Sequence, residues 1–310
     1  MRLFKDAKYS FMAGRRRAYI ASAVLIGIGI ASIALHGGLE YGVDFTGGTL
    51  VQVEFNEQMN AADLRSVVEE AGFAGAAIQS FGGEREYLIR LQTFEEIAGQ
   101  GEVERVLDAL SAEFGEDGYT VQRVEAVGPK VGSELQRKAV LAILMSFVLT
   151  LIYLAFRFEW RFGVAAVVAT IHDILITFGF ISLVGIEITL GTVAAILTIV
   201  GYSLNDTIVV FDRIRENLRK KRKEPYETTL NRSINETLPR TVLTSGTTLV
   251  TLLALFLFGG SVIRPFAMVL ILGVLIGTYS SIFVASPALL EIEEYGRRRA
   301  KAQRAHAAGA

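Results

Sequence analysis

The apolar residues of this chain are collected into six long runs, and the charges are confined to the stretches between them. A helix needs about 20 apolar residues to cross the hydrocarbon core of a bilayer. Runs at 19–35, 140–156, 162–184, 188–210, 242–258 and 266–290 are each long enough. A length of 310 residues would also suit one or two soluble domains, but the mean hydropathy of +0.41 arises from this segregation and excludes that reading. The chain is therefore expected to be an α-helical integral membrane protein with six transmembrane helices. Arg15, Arg16 and Arg17 precede the first run as they would a secretory signal. The run is longer than a signal core and lacks a small-residue cleavage site after it, so it reads as an uncleaved anchor.

Lysine and arginine fix the expected orientation, because they concentrate on the cytoplasmic side of short loops. Six lie in the tail up to Arg17, nine between Phe211 and Arg240, and five in the C-terminal tail. The connection at 185–187 has none, and that at 259–265 has only Arg264. Both termini are thus expected in the cytoplasm, with 1–18 as an N-terminal tail, 19–36 as the first span, 37–138 as an extracytoplasmic domain, 139–290 as spans two to six and 291–310 as a C-terminal tail. The basic stretches read as topological anchors that touch anionic lipid head groups. Net charge is −1, which gives no field directed at nucleic acid.

The segment 37–138 holds 19 acidic and 8 basic residues and is long enough for its own core. Alternation and β-branched residues predict strands at 49–55, 76–81, 86–92 and 120–127, with Gly82-Gly83 as a hairpin turn. Helical spacing predicts helices at 60–71, capped by Asn60, and at 101–114. The order β-α-β-β-α-β is that of the ferredoxin-like α+β fold, whose helices cover one sheet face and leave the other for a partner. No residues cluster for nucleophilic catalysis, so the chain is not read as an enzyme. Cysteine is absent and His36, His172 and His306 are scattered, so neither a disulfide framework nor a metal site is expected.

Before the first strand lies Tyr41-Gly42-Val43-Asp44-Phe45-Thr46-Gly47-Gly48. The paired glycines permit positive φ. They suit either a tight turn at the junction of domain and membrane, around Asp44, Phe45, Gly47 and Gly48, or a hinge that lets the domain swing. The other constraint is polar residues inside the spans, which are costly and usually face the bundle interior. Asp206 lies about 27 Å along the helix from Ile188 at ~1.5 Å per residue. Desolvation favours the neutral form of such a carboxylate, so it can exchange a proton. Asp206 is expected to relay protons, with Asn205 and Ser203 as hydrogen-bonding neighbours; the plainer alternative is a structural carboxylate paired with Arg240. His172 and Asp173 read either as functional or as an interfacial polar pair. Gly273 and Gly277 form a GxxxG pattern, followed by Ser280 and Ser281, for close packing within the bundle or against a second subunit.

One span, a ferredoxin-like domain and five further spans with an acid in the fourth resemble one half of a transporter of the RND superfamily. Within it, Gly42-Val43-Asp44-Phe45-Thr46-Gly47-Gly48 is similar to the DFxGG signature of the SecD and SecF export proteins. The run Gly201-Tyr202-Ser203-Leu204-Asn205-Asp206-Thr207 and the segment Leu238-Pro239-Arg240-Thr241 resemble the fourth and fifth spans of the SecF subunit family of the SecDF protein-export complex. The resemblance implies residence in the bacterial cytoplasmic membrane. It also implies pairing with SecD and association with the SecYEG translocon, with YajC as a further candidate, and contact with a translocating preprotein and lipid. It implies use of the proton motive force after the ATP-dependent step, with protons as coupling ion and no cofactor or metal. By the same resemblance Asp206 is the proton-responsive carboxylate and Arg240 its partner, with Asn205, Ser203, Thr207, His172 and Asp173 as supporting polar residues. A different class remains open: half of a proton-driven RND efflux system for small molecules or lipids.

Overall fold

The structure is a computed structural model and describes residue 4 and residues 7–80, 85–91, 100–220 and 224–308. The expected Gly82-Gly83 turn, the strand ends at Phe81 and Gln92, and Lys221, Arg222 and Lys223 lie outside the described residues. Among the described residues six helices are long and apolar enough to cross a membrane: Met12–Leu35, Pro129–Arg157, Trp160–Val184, Leu190–Lys220, Tyr226–Phe258 and Val262–Arg299. In chain order the elements are α1 (Arg15–Leu35), α2 (Val43–Thr46), β1 (Gly48–Phe55), α3 (Ala61–Glu70), β2 (Ala77–Ser80), β3 (Glu86–Leu91), α4 (Gln100–Phe114), β4 (Tyr119–Val127), α5 (Pro129–Arg157), α6 (Trp160–Val184), α7 (Leu190–Lys220), α8 (Tyr226–Phe258), α9 (Gly260–Ser280) and α10 (Ser286–Ala308). A π-helical turn, Ser281–Ala285, joins α9 to α10.

The strands form one antiparallel sheet in the order β2-β3-β1-β4. This is the split β-α-β arrangement expected from the strand and helix order. Asn60 caps α3 as its sequence suggests, its side chain accepting from Ala62 N at 3.0 Å. Val51, Val53, Phe55, Tyr87 and Ile89 face Leu64 and Val68 of α3 and Val106 and Leu110 of α4 in one closed core. The opposite face is not wholly free. Leu50 and Leu88 pack with Val43 of α2, and a cavity lined by Gln52, Arg123, Glu125 and Glu187 separates that face from the membrane helices.

Several helices extend past their apolar runs. α5 begins at Pro129 because Gly128 is extended and proline is pre-set for the first helical position. α8 begins at Tyr226, and its polar first turns bury Thr229, Ser233 and Asn235. Arginines at the ends of the spans are partly neutralised within the chain: Arg157 pairs with Asp212, Arg161 with Glu293, and Arg213 with Glu236 at 2.6 Å.

α7 sits at the centre of the bundle. The GxxxG glycines act inside the chain, with Gly273 against Ile199 and Gly277 against Ser203 of α7. α1 docks on α6 at another glycine pair, where a Cβ on Gly179 would lie 2.5 Å from Gly29 Cα. Ser32 and Ser182 hydroxyls hydrogen-bond beside it at 3.0 Å. Gly179→Ala is therefore expected to lower thermal stability in detergent by about 1–3 kcal/mol through overpacking. Gly163→Ala on the same helix, where an added Cβ meets nothing within 4 Å, should be neutral or slightly stabilising.

Candidate functional site

The double glycine builds a tight junction, not an open linker. Gly47 and Gly48 have φ of 72° and 115°, values that L side chains avoid. A Cβ at Gly47 would lie 2.9 Å from Pro129 Cα, and one at Gly48 would lie 2.6 Å from Leu91 O. The backbone thus passes between the end of β3 and the start of α5, where only glycine fits. Phe45 is buried among Ile181, Ile186 and Ile188 of the bundle. Asp44 Oδ2 accepts from Leu190 N at 2.8 Å, which satisfies a free amide at the start of α7 and places negative charge at its positive end. Gly42 N donates to Ile188 O at 2.9 Å, and Ile188 N to Glu40 O at 2.7 Å. Arg90 of β3 forms an ion pair with Glu187 in the α6–α7 connection. Burial pushes the Glu187 carboxyl above the usual carboxylate range, and Arg90 opposes the shift. Sheet, junction and the start of α7 are one connected unit.

Within the spans two carboxylates are buried: Asp173 is 1% and Asp206 6% exposed. Asp206 Oδ1 accepts from Thr241 Oγ1 of α8 at 2.7 Å, and Oδ2 from Ser281 Oγ of the π-helical turn at 2.6 Å. Asp173 Oδ2 accepts from Ser203 Oγ at 2.5 Å and from Ser280 Oγ at 2.7 Å, while Oδ1 meets His172 Nδ1 at 2.8 Å. Adjacent serines, Ser280 and Ser281, therefore serve the two acids separately. The turn that carries Ser281 is π-helical where Pro287 follows; proline has no N–H for the Phe283 carbonyl, so the regular ladder cannot continue through it. Thr241 likewise follows the in-helix Pro239.

This arrangement suits a proton that comes and goes. Ser281 Oγ is also within reach of Thr278 O, at 3.0 Å. When Asp206 is ionised, Ser281 donates to it. When Asp206 is protonated, the acid can donate to Ser281 Oγ and the serine proton turns to Thr278 O. Neither state strands a buried polar atom, and stranding one is the usual large cost.

Ser203, Thr207, His172 and Asp173 are buried, but four expectations need correction. Ser203 donates to Asp173 Oδ2 and not, as expected, to Asp206. Arg240 is exposed, and among the described residues no ion pair reaches Asp206. Arg240 and Thr241 are successive helical residues about 100° apart, for a period of ~3.6 residues per turn, so the face that presents Thr241 turns Arg240 away. Asn205 is exposed for the same reason and does not bond Asp206. His172 and Asp173 are not an interfacial pair but sit mid-helix in α6. Thr241 and Ser281 as donors to Asp206, and Ser280, Ser22 and Tyr279 as partners of the His172–Asp173 pair, were missed. Their only signal was small polar residues at helical spacing, which reads equally well as packing.

The SecD/SecF C-terminal model, described as "Protein export membrane protein SecD/SecF, C-terminal", matches residues 106–295, and the "SecD/SecF GG Motif" matches residues 34–59. The protein translocase subunit SecF of Gemmatimonas aurantiaca is 49% identical over 94% of this chain and 90% of its own length. The chain belongs to the SecD/SecF family. SecF of Magnetococcus marinus is 47% identical over 97% of both chains. A crystal structure of SecDF, a translocon-associated membrane protein from Thermus thermophilus, superposes with a TM-score of 0.85 at 41% identity, over 95% of this chain and 40% of that one. A super-membrane-facing form of SecDF gives 0.68 at 43% identity. The chain thus spans about two fifths of those fused proteins. The SecD/SecF GG motif falls on the Asp44–Gly48 junction, and the C-terminal SecD/SecF region takes in both buried acids and all their hydroxyl donors.

Arg90→Gln tests the junction. Without Arg90, burial and the nearby Glu40 carboxylate are opposed only by Arg123, so the folded Glu187 carboxyl rises further. The folded state then keeps a proton that the unfolded chain releases from the ordinary 4.5 upward, and stability falls as pH rises through the raised value. The variant should match the parent near pH 4 and lose about 2 kcal/mol at neutral pH, measured as thermal unfolding across a pH series in detergent.

Proposed function

We propose that this chain is a protein translocase subunit of the SecF type that works with a SecD half in the bacterial cytoplasmic membrane. The proton motive force drives it to complete preprotein translocation at the SecYEG translocon after the ATP-dependent step. The observation that carries the coupling is Asp206, buried in the bundle and held by the hydroxyls of Thr241 and Ser281, with no ion pair reaching it among the described residues. The lysine and arginine distribution supports both termini in the cytoplasm and the sheet domain outside. Pairing with SecD is supported by the SecDF protein of Thermus thermophilus, 43% identical over 97% of this chain but only 40% of its own length.

In this reading Arg240 serves the partner side. It is exposed on α8, where the second half of the transporter would cover it, and a rotation of α8 by about 100° would exchange Thr241 for Arg240 at the carboxylate. Protonation of Asp206 removes the charge that would draw Arg240 inward, so the acid and the arginine form a two-state element. The movement reaches the sheet domain because α7 carries Asp206 and starts at the Asp44 cap. YajC and lipid head groups complete the proposed surroundings.

Asp206→Asn in proteoliposomes with SecD and the translocon should abolish the gradient-dependent part of preprotein export while leaving the ATP-driven part. Arg240→Met should do the same. Full gradient-dependent export by either variant would remove that residue from the coupling.

A further inference from the structure

A second polar chain crosses the bundle beside Asp206. Tyr279 OH donates to Ala18 O of α1 at 2.9 Å. The Ser22 hydroxyl lies 3.1 Å from the same Tyr279 oxygen and 2.9 Å from His172 Nε2. His172 Nδ1 faces Asp173 Oδ1 at 2.8 Å. Ser203 and Ser280 saturate Asp173 Oδ2 as donors. His172 stacks on the Tyr279 ring, with centroids 6.1 Å apart. His172 and Asp173 are 6% and 1% exposed.

Hydrogen atoms can be counted along this chain. A tyrosine hydroxyl has one proton, and here it points to Ala18 O. The Ser22 contact with Tyr279 therefore uses the serine proton. Ser22 has only that one, so its oxygen must accept from His172, and Nε2 carries a hydrogen. The remaining contact, Nδ1 to Oδ1, then needs a proton of its own, since two lone pairs at that distance would repel. That proton sits either on nitrogen, as imidazolium and carboxylate, or on oxygen, as neutral histidine and carboxylic acid. Both forms have zero net charge, which avoids the cost of an unpaired buried ion. Assigning Nδ1–H alone with an ionised carboxylate would cost a hydrogen bond and leave a net charge in the bundle.

We infer that the His172–Asp173 dyad is a second proton-holding site, loaded with one shared proton in this conformation and lying next to the Asp206 site. The charged and titratable groups that face it are few: Tyr279 from the α9 side and, beyond Ser203 on α7, Asp206. α1 contributes only Ser22 and the Ala18 carbonyl. The two acids share neighbouring elements but no hydrogen bond. Ser203 and Asp206 are one turn apart on α7, and Ser280 and Ser281 are adjacent. The inference concerns proton occupancy and does not need the export reading to be correct, although that reading gives the second proton a use.

Nitrogen-15 NMR of histidine-labelled full-length protein, together with SecD in lipid, reads the occupancy directly. His172→Gln identifies the His172 signals among the three histidines. At neutral pH, His172 is expected to carry hydrogen on Nε2. In addition it should show either a protonated Nδ1 or, in infrared difference spectra, a protonated carboxyl band that Asp173→Asn removes and Asp206→Asn leaves. A neutral His172 with hydrogen on Nδ1 only, and an ionised Asp173, would overturn the inference. Loss of gradient-driven export in Asp206→Asn beside that second result would leave the export reading intact and remove only the second site.

Discussion

A carboxylate inside an apolar helix bundle must be neutral, paired with a cation or surrounded by hydrogen-bond donors. This chain takes the last course for Asp206, and the rest of the bundle follows from it. Hydroxyls are short, so the helices that carry them must come close. The glycines of α9 against α7 and of α1 against α6 bring the backbones together, and the π-helical turn directs Ser280 and Ser281 towards different acids. A lysine or arginine reaching in from a distance would relax those demands, and would also hold the charge fixed. Hydroxyls that can turn between two acceptors hold either protonation state.

The same helix that carries Asp206 is fixed at its other end by the double-glycine junction. Asp44 caps α7, Gly47 and Gly48 thread between β3 and α5, and Arg90 joins the sheet to the connection before α7. A change at Asp206 that shifts or rotates α7 therefore acts on the sheet domain through hydrogen bonds and an ion pair.

Much of this was legible in the residues. The six spans follow from run length, and the split β-α-β order from alternation and helical spacing, because each depends on local periodicity. The double glycine also announced itself, since positive φ has few other solutions. The direction in which a helical side chain points was not legible. Arg240 and Thr241 are neighbours in sequence, and charge made Arg240 the obvious partner, but packing of α8 on α7 turned Thr241 inward. Asp173 looked peripheral because an apolar run has no marked centre; its depth became plain only once α6 was bounded by Glu159 and Gly185. The serines around both acids were visible only as small residues, whose role depends on the facing helix.

The central claim is that hydroxyls, Ser281 foremost, let Asp206 take and release its proton within an intact bundle. Its most direct test is the pH profile of gradient-driven export in Ser281→Ala, measured alongside folded yield. The predicted result is a folded protein whose pH profile is displaced from that of the parent. A profile that coincides with the parent at equal yield would contradict it.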